Sequence, residues 1–334
     1  MAELTKETEI AVKAVLAASR ICIKVQADLV LYRSQKKSDK SPVTVADYAS
    51  QAVICRELRE HFPGEPVVAE EHSSGLISGD NEMVEQIVGL VGDIFPGEVS
   101  LANISRWIDC DHKRGPSRKW VLDPIDGTKG FLRGGQYAIA LALIENGEIL
   151  FGALGCPNID YEDGKKGCIF VAEKRRGARV IWIEDISVSR SIHVSADKDP
   201  GELKFVESFE SAHTDHAAHD RLYGRLGVSA PHTRIDGQAK YALVARGDVS
   251  AYLRMQSPLT PDYRQMIWDH AAGCVIVEEA GGKVTDITGK PLDFSFDRSL
   301  ENNIGIIATN GLCHDRILDQ LRHCEEPKAT KQSQ

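Results

Sequence analysis

The feature that most restricts the fold is a pair of apolar runs joined by a tight-turn signal. Tyr137–Ile144 and Ile149–Leu154 have the length and composition of buried strands, and Asn146-Gly147 lies between them. An Asn-Gly pair readily adopts the positive φ angles of a two-residue hairpin turn. The segment therefore predicts adjacent antiparallel strands, which the runs at 168–173 and 179–183 extend into a meander.

Helices are expected before this meander. Apolar residues recur every three or four positions over residues 7–31, which predicts an amphipathic helix with one buried face. A second helix is expected from Asp47 to the residue before Pro63. A third is expected over residues 82–95, within a segment at 75–118 that has the character of an insertion or lid.

The pattern changes beyond about residue 190, where strands and helices alternate. The expected strands cover residues 204–208, 232–235, 249–253 and 304–309, and the expected helices cover residues 214–226, 238–246, 268–280 and 312–323. Such alternation favours an α/β domain. We therefore predict an α+β domain over residues 1–190, an α/β domain over residues 191–324 and a loose polar tail over residues 325–334.

Composition excludes several classes of protein. The chain has 40 Lys and Arg against 49 Asp and Glu, a formal charge of −9, whereas a nucleic-acid binder needs clustered basic residues. No apolar run reaches the roughly 18 residues of a membrane span, and the acidic N-terminus does not resemble a targeting segment. The eight scattered cysteines are expected to be buried thiols, and Cys110–His112 to be an ordinary loop. We expect a cytoplasmic protein.

The sequence DPIDGT at 123–128 carries the clearest chemical signal. Asp123 and Asp126 lie three residues apart where a strand runs into a short helix, and carboxylates this close repel one another unless a cation neutralises them. Free N–H groups at the start of the helix attract an anion. Because oxygen ligands favour Mg²⁺ over zinc or copper, the stretch predicts magnesium bridged to a phosphate. The alternative is a plain turn in which Asp126 caps the helix.

Other acidic residues lie at positions that could complete such a site. Glu70 and Glu71 end an apolar strand, where two adjacent acids are an unusual choice without a function. Asp47 and Asp269 each begin a predicted helix. Taken alone, each of the two aspartates is equally well explained as a capping residue.

Four separated motifs resemble the Mg²⁺-dependent, lithium-sensitive phosphatase superfamily that includes inositol monophosphatases and fructose-1,6-bisphosphatases. They are SPVTVAD at 41–47, VAEE at 68–71, WVLDPIDGTKGFLRGGQ at 120–136 and WDHAAGCVIVEEAGG at 268–282. A closer similarity, to the 3′(2′),5′-bisphosphate nucleotidases, rests on GTKGFLRG at 127–134, GCPN at 155–158, DGQAKY at 236–241 and YLR at 252–254. The resemblance implies a layered αβαβα sandwich of the sugar-phosphatase type, between the α+β and α/β classes.

The resemblance also implies roles for individual residues. The metal ligands for two or three Mg²⁺ ions would be Glu70, Asp123, Asp126, Asp269 and the main-chain oxygen of Ile125. Asp47 and Thr128 would orient and deprotonate the attacking water. The substrate would be held by Gly127, Thr128, His213, Gly237, Lys240, Arg254 and Asp269.

One position departs from the family pattern. The usual Asp-Ser-Gln-Ala-Lys is Asp-Gly-Gln-Ala-Lys here, so that Gly237 replaces a serine whose hydroxyl is expected near the nucleotide. A water molecule or a backbone N–H could take its place. The replacement makes nucleotide affinity the property most open to change.

The implied activity is removal of the 3′-phosphate from 3′-phosphoadenosine 5′-phosphate, and from its 5′-phosphosulfate analogue, with inhibition by lithium. The partner would be this small molecule, neither nucleic acid nor membrane, and the protein a monomer or weak dimer. An inositol polyphosphate 1-phosphatase or inositol monophosphatase is the nearest alternative. A catalytically inactive sensor would have lost an acidic ligand, and an interaction protein would use the helical face at 7–31.

Overall fold

The computed structural model describes residues 6–27, 34–36, 42–77, 81–97, 99–109, 117–162, 164–212 and 214–325. In chain order the strands are β1 (Ser34–Lys36), β2 (Pro42–Thr44), β3 (Val67–Ala69), β4 (Arg118–Asp126), β5 (Ala138–Glu145), β6 (Glu148–Glu162), β7 (Lys165–Glu173), β8 (Ala178–Trp182), β9 (Ser189–Ile192), β10 (Phe205–Ser208), β11 (Thr233–Ile235), β12 (Ala251–Arg254), β13 (Lys283–Thr285) and β14 (Ile306–Thr309). The α-helices are α1 (Lys6–Ala27), α2 (Val45–His61), α3 (Ser73–Ile77), α4 (Asn81–Ile94), α5 (Leu101–Ile108), α6 (Thr128–Leu132), α7 (His216–Leu226), α8 (Ala239–Arg246), α9 (Ala271–Glu279) and α10 (His314–Glu325).

The larger sheet contains seven strands in the order β3-β4-β5-β6-β7-β8-β9. Neighbouring strands from β4 to β9 are antiparallel, and β3 adds to the edge in parallel with β4. Asn146 and Gly147 have φ angles of 53° and 78°, as a two-residue hairpin turn requires. The predicted hairpin and meander are confirmed.

The smaller sheet has the order β11-β10-β12-β14-β13. Strand β10 is parallel to both β11 and β12, whereas β14 is antiparallel to both β12 and β13. Parallel neighbours place the ends of β10 and β12 at the same edge of the sheet, together with the loops that follow them.

The sheets and helices form five layers. Alternate residues of a strand face opposite sides of a sheet; Trp120 and Leu122 of β4 pack with α1 and α2, whereas Val121 packs with α8, α9 and the smaller sheet. On the far face of the smaller sheet, Phe205 packs with Leu222 of α7 and with residues of α10. The order helix, sheet, helix, sheet, helix confirms the predicted αβαβα sandwich.

Several element boundaries differ from the sequence prediction. Helix α1 ends at Ala27, and the predicted extension through residues 28–31 lies outside the described residues. The helix predicted over 268–280 is divided into a short 3₁₀ helix, Ile267–Asp269, and α9. His270 separates them because its backbone, with φ −138° and ψ −31°, is not helical. Strands β1, β2, β9 and β13 were not predicted.

The segment at 75–118 is largely helical where the structure describes it, since it holds α4, α5 and the end of α3. Helices α4 and α5 pack against α2, and the helix predicted over 82–95 is confirmed as α4. A role as a lid, and the division into domains near residue 190, stay predictions. Residues 326–334 of the predicted tail, and Cys110–His112, lie outside the described residues.

The described cysteines fit the sequence expectation. Six of them are buried thiols, at positions 22, 55, 156, 168, 274 and 313. Among the residues described, no helix combines the length and apolar character needed to cross a membrane.

Candidate active site

The site begins at the C-terminal end of β4, where the strand leaves its regular register. Asp123 pairs with Ala140 of β5 and Asp126 pairs with Ala138, with an irregularity between the two pairs. On a regular strand, residues three apart would face opposite sides of the sheet. The bulge re-aims the strand end, and the Asp123 carboxylate accepts a hydrogen bond from the Ile125 N–H at 3.1 Å.

The chain then turns into α6. Gly127 precedes this helix in the left-handed conformation, with φ 93°, and its carbonyl accepts the Phe131 N–H. The Thr128 hydroxyl donates to the main-chain oxygen of Ile125 at 3.2 Å, which confirms that these two site residues are in contact. The predicted short helix through Lys129–Phe131 is present as Thr128–Leu132.

A second turn, at Gly237, lies directly against this one. A Cβ atom built on Gly127 would approach the main-chain nitrogen of Gly237 to 2.9 Å. A Cβ atom built on Gly237 would approach the main-chain oxygen of Asp126 to 2.2 Å. Gly237 also has φ 66°, which L side chains rarely adopt. The glycine that departs from the family pattern therefore fills a space that has no room for a Cβ in this backbone.

Gln238, for which the sequence indicated no role, links this turn to the segment that contains Asp269. Its side-chain amide donates to the Trp268 carbonyl at 2.8 Å, and its side-chain oxygen accepts the Gly273 N–H at 3.1 Å. A hydrogen bond from Gln238 also stabilises the charged form of Asp126. The residue lay within the DGQAKY motif, but nothing in its type indicated this bridging position.

The parallel edge strand positions Glu70. Ala69 of β3 pairs with Leu122 of β4, and the Glu70 N–H then donates to the Leu122 carbonyl at 3.3 Å, so Glu70 lies level with Asp123. Glu71 is buried, and its backbone N–H and carbonyl both bond the side chain of Gln51. The two adjacent glutamates thus have different surroundings.

The pKa shifts of Asp126 and Asp269 indicate that these two residues and Glu70 lie close together. Burial raises the pKa of Asp126 to about 6, and the charge of Glu70 contributes to the rise. Burial, followed by the charges of Asp126 and Glu70, raises the pKa of Asp269 to about 8. Carboxyl groups that affect one another in this way share a small, poorly solvated space.

Two buried cations face these acids. Lys240 is 4% exposed, donates to the carbonyls of Gly237 at 2.7 Å and Ile235 at 3.3 Å, and has a pKa that burial lowers to about 8. Arg254 is 8% exposed, and its Nη1 lies 3.9 Å from an Asp269 oxygen. Among the described residues, its Nε has no hydrogen-bond partner, so the guanidinium retains capacity for an anion.

Glu210 links α6 to the loop after β10. Its carboxylate receives Arg133 at 2.6 Å and Lys129 at 3.3 Å, while Arg133 also bonds Asp236 at 2.6 Å. Glu210 lies three residues before His213, the only residue of this segment for which the sequence predicted a role. His213 itself lies outside the described residues.

Asp47 is fully buried in the first turn of α2, close enough to Cys22 to help raise the pKa of that thiol, which burial raises most. Strand β2, immediately before α2, packs against α6. This places the α2 start on the side of the site where Thr128 lies. A direct relay between Asp47 and Thr128 stays a prediction.

The donor set fits hard divalent cations. Asp126 and Asp269 have raised pKa values because each is partly buried and faces other carboxyl groups, so a bound cation would remove an electrostatic cost that the protein otherwise carries. All of the candidate side-chain ligands offer oxygen, the ligand type preferred by Mg²⁺.

Comparison with known proteins agrees with this architecture. The model of the inositol monophosphatase family matches residues 3–326. The extragenic suppressor protein suhB of Bartonella henselae superposes with a TM-score of 0.66 and 21% identity, covering 95% of this chain and 99% of that one. The IMPase of Thermotoga maritima gives 0.63 and 22%, with 96% and 98% covered. At these identities the structures establish the fold.

Sequence relatives narrow the assignment. A 3′(2′),5′-bisphosphate nucleotidase of Dictyostelium discoideum is 40% identical, over 96% of this chain and 98% of the relative. One from Oryza sativa is 43% identical, with 91% and 90% covered. The chain belongs to the inositol monophosphatase family. Within that family it is a member of the 3′(2′),5′-bisphosphate nucleotidases, and it is a phosphatase.

We expect Asp126 and Asp269 each to make a contribution to the free energy of unfolding of the metal-free protein that falls as the pH rises from about 4 to about 8. Asp126 and Asp269 have folded-state pKa values of about 6 and about 8, above the ordinary 3.8. At these two positions the folded protein binds more protons than the unfolded chain in this window, and deprotonation disfavours it. His270 and His314, whose pKa values burial lowers, act in the opposite direction. Urea unfolding in EDTA at fixed pH values measures the slope.

Asp269→Asn is expected to remove the Asp269 contribution to that slope, because an amide does not titrate. Asp199→Asn, at an exposed position, is the matched control and should leave the slope unchanged. Equal slopes in the wild type and Asp269→Asn would contradict the assignment of the shift to this carboxyl group.

Restoring the family serine with Gly237→Ser is expected to lower stability by about 1–3 kcal/mol and to weaken substrate binding. The added Cβ would lie 2.2 Å from the main-chain oxygen of Asp126, and residue 237 has a positive φ angle. Gly237→Ala should behave alike, and Gly64→Ser, which has open space around it, is the control. Tighter substrate binding in Gly237→Ser would show that the missing hydroxyl matters more than the close backbone approach.

Proposed function

We propose that this phosphatase is a Mg²⁺-dependent enzyme that removes the 3′-phosphate of 3′-phosphoadenosine 5′-phosphate to give AMP and phosphate. The 5′-phosphosulfate analogue would be a second substrate, and lithium an inhibitor. The observation that carries the proposal is the meeting of the carboxyl groups of Glu70, Asp126 and Asp269 with the buried cations Lys240 and Arg254. The names of the relatives from Dictyostelium and Oryza support the substrate.

The Mg²⁺ ions, two or three in number, would be held by Glu70, Asp123, Asp126, Asp269 and the main-chain oxygen of Ile125. When bound, they would supply positive charge that acidifies water and stabilises charge on the departing oxygen. The remaining tasks, which are to orient water, move a proton and bind the anion, fall to the protein's own residues.

Thr128 and Asp47 would orient and deprotonate the attacking water. The Thr128 hydroxyl is held at the Ile125 carbonyl, so its oxygen is fixed and can accept a hydrogen bond from water. Asp47, which is fully buried, would receive the proton by general base catalysis. The amides of Gly127 and Thr128 would donate to the phosphate oxygens.

Lys240 and Arg254 would allow a protein of net charge −9 to bind a polyanion. The buried Nε of Arg254, without a partner among the described residues, is available to a phosphate oxygen. A bound anion would also favour the charged form of Lys240, whose pKa burial lowers to about 8. His213 and Gly237 would contact the nucleotide. A monomeric or weakly dimeric, cytoplasmic enzyme stays a prediction.

Phosphate release is expected from 3′-phosphoadenosine 5′-phosphate with Mg²⁺, to be lost in EDTA and reduced by Li⁺. Asp126→Asn should abolish turnover. Glu71→Gln should have a milder effect, because Gln51 bonds the backbone of Glu71 and Glu71 is not one of the proposed metal ligands. Inositol 1,4-bisphosphate, inositol monophosphate and fructose 1,6-bisphosphate are run beside it. Faster turnover of an inositol phosphate would show that the preferred substrate is not the nucleotide. Undiminished turnover in Asp126→Asn would contradict the proposed metal site.

Asp47→Asn and Thr128→Val are expected to lower kcat by about 10²-fold or more while leaving Mg²⁺ affinity within a few-fold of the wild type. Both changes remove proton transfer without removing a proposed metal ligand. Thr128→Ser keeps the hydroxyl and should retain most activity. Mg²⁺ affinity is measured by calorimetry; its loss together with activity in Asp47→Asn would show a structural role.

A further inference from the structure

A second group of ligand-type side chains surrounds Glu207, a fully buried residue of β10. Its Oε1 lies 3.0 Å from Nδ1 of His216 and 3.5 Å from Nε2 of His232. Its Oε2 is hydrogen-bonded to Nδ1 of His219, which is also fully buried. Three imidazoles therefore meet at one carboxylate, and neither the proposed reaction nor the sequence motifs involve any of them.

The fold brings these residues together from three elements. His216 and His219 are three residues apart in the first turn of α7, so both side chains lie on one face of the helix. His232 immediately precedes β11, which pairs in parallel with β10 beside Glu207. The cluster thus joins β10, α7 and the start of β11.

The carboxylate has more neighbours than its own charge requires. Arg234 donates to Oε1 at 2.6 Å and the Tyr223 hydroxyl donates to Oε2 at 3.3 Å, in addition to the three imidazoles. An ionised carboxylate offers about four lone-pair sites, and Arg234 alone balances its charge. Five polar neighbours exceed that capacity, so the histidines are not explained by the need to satisfy Glu207.

We infer that Glu207, His216, His219 and His232 form a binding site for Zn²⁺ or a similar transition-metal ion. Bonds of about 2.0–2.1 Å in a tetrahedral zinc site place ligand atoms about 3.4 Å apart. The 3.0 Å and 3.5 Å separations above match that spacing, and the ligand atoms of Glu207, His216 and His219 all lie within 4.8 Å of one another. Imidazole-rich ligation selects zinc over magnesium.

Neighbouring groups already provide the outer hydrogen bonds that such ligands need. The second ring nitrogen of His219 lies 3.1 Å from the Thr214 hydroxyl, which can accept its proton when Nδ1 binds a metal. Arg234 would remain on Oε1 and orient the carboxylate, whereas its Nη2, which lies 3.4 Å from Nε2 of His232, would give up that contact when the imidazole binds the ion. The Arg234 guanidinium, 2.6 Å from Oε1, favours the ionised carboxylate that a cation needs.

A metal here would stiffen one wall of the active site. Residues 209–215 connect β10 to α7, and within them Glu210 holds Lys129 and Arg133. The Thr214 hydroxyl accepts the N–H of Met255, the residue after Arg254. An ion bound at Glu207 would therefore anchor both ends of this connection and the strand end that carries Arg254.

The test is calorimetric titration of the full-length protein with Zn²⁺ in saturating Mg²⁺, which occupies the oxygen-only site. We expect one tightly bound Zn²⁺ per chain, a higher Tm with Zn²⁺, and visible absorption from four-coordinate Co²⁺ as a substitute. His216→Gln and His232→Gln are the informative variants because both side chains are partly exposed, at 18% and 30%.

Each of these variants should weaken Zn²⁺ binding by about tenfold or more and remove the Zn²⁺-dependent rise in Tm, with the metal-free Tm unchanged. His193→Gln, at an exposed position outside the cluster, is the matched control and should bind as the wild type does. Absence of stoichiometric Zn²⁺ binding to the wild type, or equal affinity in His216→Gln and the wild type, would overturn the inference. Because no readout is phosphatase turnover, the result is independent of the proposed function.

Discussion

The acidic side chains meet because two backbone turns touch. Asp126 and Gly127 end the first motif, and Gly237 lies against them so closely that neither glycine can carry a Cβ in this backbone. From Gly237 the contact passes through Gln238 to the Trp268 carbonyl, next to Asp269. A chain of backbone contacts and side-chain hydrogen bonds thus fixes the distance between acids that are far apart in sequence.

This arrangement concentrates charge where water is scarce. Burial and mutual repulsion raise the pKa values of Asp126 and Asp269, and burial lowers that of Lys240. Such groups cost stability in the free protein, and perturbed pKa values of this kind cluster at functional sites. Arg254 compensates part of the negative charge while keeping one nitrogen open to a ligand. The site is therefore organised for charged ligands rather than for its own stability.

Much of the fold could be predicted because its signals are local. The Asn146-Gly147 hairpin, the meander and the alternating second half follow from turn chemistry and apolar periodicity, and they were confirmed. The break at His270 could not be predicted, because a short 3₁₀ turn and a helix start share the same apolar pattern. Asp269 therefore lies one turn before the helix that it was expected to begin.

The acidic positions of the site could be proposed from sequence, but their surroundings could not. From the sequence, Gly237 indicated only the loss of a serine hydroxyl. In the structure the main-chain atoms of Asp126 leave no room for a Cβ at this position, which the sequence does not reveal. Gln238 and Glu210 carried no chemical signal until the contacting residues were known. The histidines around Glu207 come from α7 and from the residue before β11, and Glu207 itself from β10, so no spacing rule could have grouped all four.

Helix α9 gives the molecule a mechanical property. Ala271 through Val277 are all buried, and the helix packs against strands of both sheets. This part of α9 therefore has no solvent-exposed face, and moving it would disrupt packing on both sides. It acts as a fixed spacer that holds the β4 turn and the Asp269 segment at a constant separation. Adjustment of the enzyme to ligands of different size is therefore expected at the edges of the site rather than in this middle layer.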